Sequence, residues 1–128
     1  MSRPADIKYA PSHEWVRVEG DIAVIGITDF AVEQLSDLAF VDLPQKGTAA
    51  KKEARFGEIE STKSVSDLLA PVSGEIVDVN TEIIENLQMI SSSPYDQGWM
   101  IRVRMSDPSE LATLLTADEY AAHILAEE

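Results

Sequence analysis

The spacing of apolar residues changes several times along the chain, and each change predicts an element. Val16 and Val18 alternate with Arg17 and Glu19, as in a strand with one buried face. Gly20-Asp21 turns the chain, and residues 22–28 (IAVIGIT) are almost wholly apolar, which fits a strand buried on both sides. Two strands joined so tightly should pair antiparallel. From Thr28 or Asp29 the period lengthens: Ala31, Leu35 and Leu38, with Val32 beside them, fall on one side of a short helix that Thr28 or Asp29 can cap. Residues 39–43 return to a strand, stopped by Pro44, and residues 45–53 read as a loop or a weak edge strand. Residues 56–60 and 65–69 read as two strands meeting across Ser61-Thr62-Lys63-Ser64, a hairpin without the Asn-Gly turn signature. Pro71-Val72-Ser73-Gly74 turns the chain into a further strand, 74–79, and the tripeptide Gly-Glu-Ile at Gly57 returns at Gly74.

In the last third, Asn80 or Thr81 can start a short helix through Glu85, and residues 91–98 (SSSPYDQG) form a loop by their turn residues. Trp99, Ile101, Val103 and Met105 then alternate with Met100, Arg102 and Arg104, which predicts a strand with its arginines outward. Two capping boxes come next, Asp107-Pro108-Ser109-Glu110 and Thr116-Ala117-Asp118-Glu119. Leu111, Leu114 and Leu115 give the first tail helix its apolar face, and Ala121, Ile124 and Leu125 the second; both are expected to pack on the sheet.

Size and charge narrow the classes. The 128 residues make one domain, 1–128, with 1–8 as a loose N-terminal arm and 107–127 as C-terminal helices. Lys+Arg 10 against Asp+Glu 23 gives a net charge of −13, so nucleic acid and anionic membrane are unexpected partners and basic protein surfaces are expected ones. Without cysteine there is no disulfide and no CxxC pair, so any thiol chemistry must come from a cofactor. The start, MSRPADIK, lacks the apolar core of a signal peptide, which predicts a bacterial cytoplasmic protein, or a mature mitochondrial matrix form if eukaryotic. His13 and His123 stand far apart with no zinc-like spacing, so no metal is expected and His13 reads as a turn residue beside Trp15.

Lys63 is the chemically notable residue. At the apex of a hairpin, between Thr62 and Ser64, its amine should point away from the body; by the residues alone this is either a solvated turn lysine or a presented one. The string ESTKSVSDLLAPVSGEIVDVN (60–80) resembles the lipoyl-attachment region of glycine cleavage system H proteins. YAPSHEWVRVEGDIAVIGITDFA (9–31), FVDLP (40–44) and SPYDQGW (93–99) are similar to further segments of that family in the same order. The resemblance implies a mainly β fold, a barrel-sandwich hybrid of the lipoyl/biotinyl-carrier type with short helices and a helical C-terminus. It also implies that both Gly-Glu-Ile segments form related strands of one sandwich.

The same resemblance carries the functional expectations. Lys63 would be amide-linked to lipoic acid, with Glu60 and Gly74 as landmarks for the lipoylating enzyme. The chain would be a carrier without an active site of its own. It would shuttle the aminomethyl group of glycine from the pyridoxal-phosphate glycine decarboxylase to the tetrahydrofolate-dependent aminomethyltransferase, with a flavin dihydrolipoyl dehydrogenase reoxidising the dithiol, and it is expected to be a monomer. The loaded arm ends in a cation, costly to bury unless paired. Ser12, Glu14 and Asp67 match the segments near which the family's arm docks, so Glu14 and Asp67 are expected to pair with that cation while Ser12 adds a hydrogen bond. Glu14 and Asp67 can also be read as plain surface acids. Two other readings remain open: a lipoyl donor that relays the group to other lipoyl-dependent complexes, and an unmodified acidic interaction domain. Leu69, Leu87, Ser91 and Asp96 depart from the family pattern, so the loop from Asn86 to Gly98 is expected to differ in shape.

Overall fold

The computed structural model describes residues 4–127, and its strands form two sheets. The larger has the order β1-β2-β3-β9-β8-β5, from β1 (Lys8–Tyr9), β2 (Glu14–Glu19), β3 (Ile22–Ile27), β5 (Ala49–Ala50), β8 (Gly74–Val79) and β9 (Ile101–Met105). The smaller has the order β4-β6-β7, from β4 (Leu38–Asp42), β6 (Arg55–Ser61) and β7 (Val65–Leu69). All the strand pairs are antiparallel, β2 with β3 as expected. The sheets share one apolar core: Val16, Ala23, Ile25, Ile76 and Val103 from the larger meet Val41, Ile59 and Leu68 from the smaller. This is a mainly β sandwich, and among the described residues neither sheet closes into a barrel.

Strand β3 is buried on both sides because the other face of the larger sheet is also covered. Ile7, Tyr9, Trp15 and Val24 pack there against Tyr120 and Ile124 of the last helix, α4 (Ala117–Glu127). Tyr9 and Tyr120 stack with ring centroids 4.9 Å apart. The repeated tripeptide takes matching positions in the two sheets. Gly57 and Gly74 each lie where a Cβ would strike a neighbouring carbonyl, at 2.3 Å from Asp42 O and 2.0 Å from Arg104 O, and Ile59 and Ile76, two residues on, meet in the core.

Several expectations need correction. The arm is not loose as far as residue 8: Ile7 is buried and Lys8 pairs with Val16, whereas residues 1–3 lie outside those described. Helix α1 (Asp29–Leu35) carries Ala31, Val32 and Leu35, but Leu38 belongs to β4, because the chain leaves the helix at Ser36 with φ 69. Thr28 is the cap, its Oγ1 accepting from Ala31 N. The short helix α2 (Glu82–Glu85) lies where expected, whereas a further helix, α3 (Gln88–Ser92), takes up the start of the expected loop, so Ser91 and Ser92 are helical. Met100 does not alternate outward. It precedes β9, donates its N–H to Ile25 O at 2.7 Å and is fully buried. Arg102 and Arg104 do face outward, where they pair with Asp78 and Glu75.

The tail follows its capping signals only in part. Thr116 and Glu119 form the reciprocal box that starts α4. Glu110 does not reach back to its cap: its carboxylate accepts the Ser73 N–H at 2.7 Å and the Ser73 hydroxyl at 2.9 Å, and residues Pro108–Thr113 form a 3-10 turn. In α4 it is Tyr120 and Ile124 that are buried, and Leu125 is exposed. Ile124 is inward as expected, and Tyr120, which the pattern left out, is the larger side chain of that face.

Candidate functional site

Lys63 is exposed at the loop joining β6 to β7. Among the described residues no ion pair involves it. The loop lacks a residue in the left-handed region, so it cannot be the two-residue hairpin turn that Asn-Gly makes. Ser61 takes over that task. Its buried Oγ accepts the amides of Lys63 at 3.2 Å and Ser64 at 3.1 Å, while its own N–H donates to Ser64 O at 2.8 Å. The Thr62 N–H donates to Asp37 O at 3.0 Å, which ties the loop to the segment between α1 and β4. The base is therefore hydrogen-bonded through its backbone while the lysine side chain is left to solvent.

Beside the hairpin runs a groove of about 720 Å³. One wall is the inner face of β6 and β7 with its loop, Ile59, Ser64, Ser66 and Leu68; another is α1, with Phe30, Gln34 and Leu35; the end is the turn at Ser12, His13 and Glu14. The walls thus mix apolar Phe30, Leu35, Ile59 and Leu68 with polar Gln34, Ser64 and Ser66, and the turn at Ser12, His13 and Glu14 is polar.

Glu14 opens β2 in phase with Val16, so the period of two sends its side chain inward. It is 2% exposed, and it bridges the sheets: the Ser12 hydroxyl donates to Oε1, and the Leu69 N–H at the end of β7 donates to Oε2 at 3.2 Å. Burial pushes its carboxyl from 4.5 up to about 7, although the bonds from Ser12 and Leu69 pull the other way. Glu14 is therefore not a plain surface acid.

Asp67 stands at the groove's rim. Its carboxylate accepts Nε of Arg55 at 3.2 Å, and Arg55 also reaches Glu58 at 2.8 Å. The pair is exposed, and its exchange with solvent leaves Asp67 available to another cation at small cost. Ser12 and Glu14 are brought together by a hydrogen bond, and Asp67 lines the same groove.

Of the two expected recognition residues, Glu60 is on β6 and pairs with Val65 next to the loop, whereas Gly74 is in the other sheet. A packing reason for glycine holds at Gly74 by itself, since its φ is 157 and a side chain would collide with Arg104 O. His13, at φ 79, is a turn residue as expected, but the fold brings it near His123, with ring centroids 6.0 Å apart. Its Nδ1 shares a hydrogen bond of 2.7 Å with the Tyr120 hydroxyl, which shares another of 2.7 Å with Thr28 Oγ1. No group of His, Cys, Asp and Glu suited to a metal occurs among the described residues. Sequence reasoning missed Ser61 as the residue that shapes the loop, and Phe30 and Gln34 as groove wall. The i, i+4 spacing of the last two on α1 was the available signal.

Together the fold and site define a class: a small mainly β sandwich that presents one hairpin lysine beside a groove ending in a buried carboxylate. The family model described as Glycine cleavage H-protein matches residues 7–127. Glycine cleavage system H proteins of Cyanothece sp. and Geobacillus thermodenitrificans are each 48% identical over 124 residues, covering 97% of this chain and 96% and 98% of theirs. The crystal structure of a glycine cleavage system H protein from Mycobacterium marinum superposes with a TM-score of 0.88 at 42% identity, covering 95% of this chain and 98% of that one. The chain belongs to the glycine cleavage H-protein family.

Proposed function

We propose that the chain carries lipoate on Lys63 and serves as the mobile-arm carrier of the glycine cleavage system. The observation that carries this reading is an exposed lysine without an ion pair among the described residues, held at a loop pinned by Ser61 and Asp37, with a groove of mixed apolar and polar lining beside it. Those residues fit the group: a free amine for the amide bond, and apolar walls at Phe30, Leu35, Ile59 and Leu68 for a hydrocarbon arm. When attached, the lipoyl disulfide supplies the sulfur chemistry that a chain without cysteine lacks, taking the aminomethyl unit from glycine decarboxylase and giving it to aminomethyltransferase, with dihydrolipoyl dehydrogenase restoring the disulfide.

The chain's own residues bind and shield. Glu14, with Ser12 orienting it, offers a desolvated carboxylate at the end of the groove; a cationic amine beside it would be paired there and would draw the Glu14 carboxyl back down. Asp67 serves at the rim by exchanging Arg55 for the same cation. The α1 wall, with Ser64 of the loop and Ser66 of β7, flanks the groove that leads to that end. Glu60 is the recognition residue for the lipoylating enzyme. Gly74 acts through the fold of β8 at the crowded contact with β9. Apart from the attachment of lipoate at Lys63, no side chain of this protein takes part in a chemical step; it acts as a carrier and not as an enzyme, as a monomer, in the cytoplasm of a bacterium. The last point rests on its bacterial relatives.

Reconstitution tests it. With the three partner enzymes, lipoylated chain should support glycine-dependent release of carbon dioxide and Lys63→Arg should support none; equal turnover by Lys63→Arg would contradict the reading.

A further inference from the structure

Two large apolar side chains that the fold leaves in water stand beside the lysine loop. The register pairs Phe40 of β4 with Glu60 of β6, and Glu60 with Val65 of β7. Directly opposed residues share a face, so these three form one row on the side of the smaller sheet turned away from the core. Ile59, one residue back, points the other way and is buried. Phe40 is 48% exposed and Val65 57%. The next row, Asp42, Glu58 and Asp67, is acidic, and Arg55 is held against Glu58 and Asp67. The face thus combines an apolar stripe with Asp42, Glu58, Glu60 and Asp67 set against a single guanidinium.

We propose that this face is the docking surface for the enzyme that attaches lipoate to Lys63, an enzyme that meets Phe40 and Val65 with an apolar contact rimmed by lysine and arginine. The inference rests on the reading of Lys63 as the lipoyl site. Attachment happens at Nζ itself: the deprotonated amine attacks the acyl carbon of a lipoyl adenylate, the C–N bond forms, the acyl C–O bond breaks, AMP leaves with the electron pair and the amine's proton passes to solvent. An active site that reaches Nζ must close over the loop and cover the strands that lead into it. An enzyme acting on the far end of the arm can reach its target from a side chain's length away, so it need not cover these strands. Charge complementarity selects a basic partner. It also disfavours a second copy of this chain, because two such faces would oppose their carboxylates.

The experiment uses a lipoate–protein ligase with ATP and lipoate, following initial rate against concentration of the intact chain. The double variant Phe40→Thr/Val65→Thr puts a β-branched strand former at both positions and should melt as the native protein does. Its KM should rise about tenfold, the size of one central apolar contact, with kcat little changed. Ile84→Thr, which removes an exposed apolar side chain on α2, should leave KM unchanged. KM for the native chain should also rise with added salt. Val65→Thr alone, should the double variant fold poorly, should raise KM by about threefold. An unchanged KM in the folded variants overturns the docking surface while leaving Lys63 as the lipoyl site. Absence of lipoylation in the native chain overturns the reading of Lys63 and this inference with it. A native dimer that the double variant abolishes assigns the face to self-association and overturns the inference.

Discussion

Replacing Glu14 by glutamine isolates the cost of burying its charge. The carboxyl is 2% exposed, and burial lifts it from 4.5 to about 7 even with the Ser12 hydroxyl and the Leu69 amide favouring the ionised form. A carboxyl that holds its proton more tightly folded than unfolded loses stability as pH rises. Below about 4.5 both states are protonated and the group costs nothing; between 4.5 and about 7 only the folded state keeps the proton; above about 7 both are ionised and the whole cost is present. At about 1.4 kcal/mol for each pH unit, the cost above that window comes to about 3 kcal/mol. Glutamine has the same shape and does not titrate: its oxygen can accept the Leu69 N–H and its amide can donate to Ser12. Urea unfolding of both proteins across about pH 5 to 9 reads the difference directly, since the other titrating groups cancel. The advantage of Glu14→Gln should grow by about 2–3 kcal/mol up to about pH 7 and then level off. A difference that stays flat, or one in which glutamine loses ground as pH rises, would refute the reasoning by showing that the carboxylate is solvated or already paired in the fold.

Other perturbations test the scaffold. Tyr120→Phe keeps the stack on Tyr9 but removes the hydroxyl shared with His13 and Thr28, so it should lower stability by about 1–3 kcal/mol in a thermal melt; a change within about 0.5 kcal/mol would mean that those bonds contribute nothing net. Gly74→Ala must move a Cβ that would lie 2.0 Å from Arg104 O, and should cost more than about 1 kcal/mol in urea unfolding; native stability combined with lost lipoylation would instead make Gly74 an enzyme contact.

How far the letters reach differs from one residue to the next. Period-two patterning located β2 and period-3.6 patterning α1, a nearly unbroken apolar run located β3, and two short strand runs meeting at hydroxyl residues located the hairpin of β6 and β7. The strand at Ile101 was legible too, but Met100 was not, since it sits before the ladder where a hydrogen bond to Ile25 O and not alternation sets its direction. The capping residues at Asp107 marked a real start, yet Glu110 found Ser73, a partner 37 residues away that no local rule could anticipate. In helix α4 the expected Ile124 is buried, but Leu125 is exposed and Tyr120 was missed, because small alanines give the face little contrast and tertiary packing chose the aromatic. At the site, Ser12 and Glu14 were reached through the family resemblance; the inward phase that Glu14 shares with Val16 was a signal in the residues that went unused. The bond from Glu14 to the Leu69 amide was not legible, because it joins strands of opposite sheets. The arginine that occupies Asp67 likewise depends on a register with a bulge between Arg55 and Gly57.

The most direct measurement of the central claim is tandem mass spectrometry on the peptide containing residue 63, after the chain is produced or incubated with a competent lipoylating enzyme. One lipoyl amide, located on Lys63 and absent from Lys63→Arg, is the predicted result. A chain that stays unmodified, or one whose lipoyl group is found on another lysine, would contradict it.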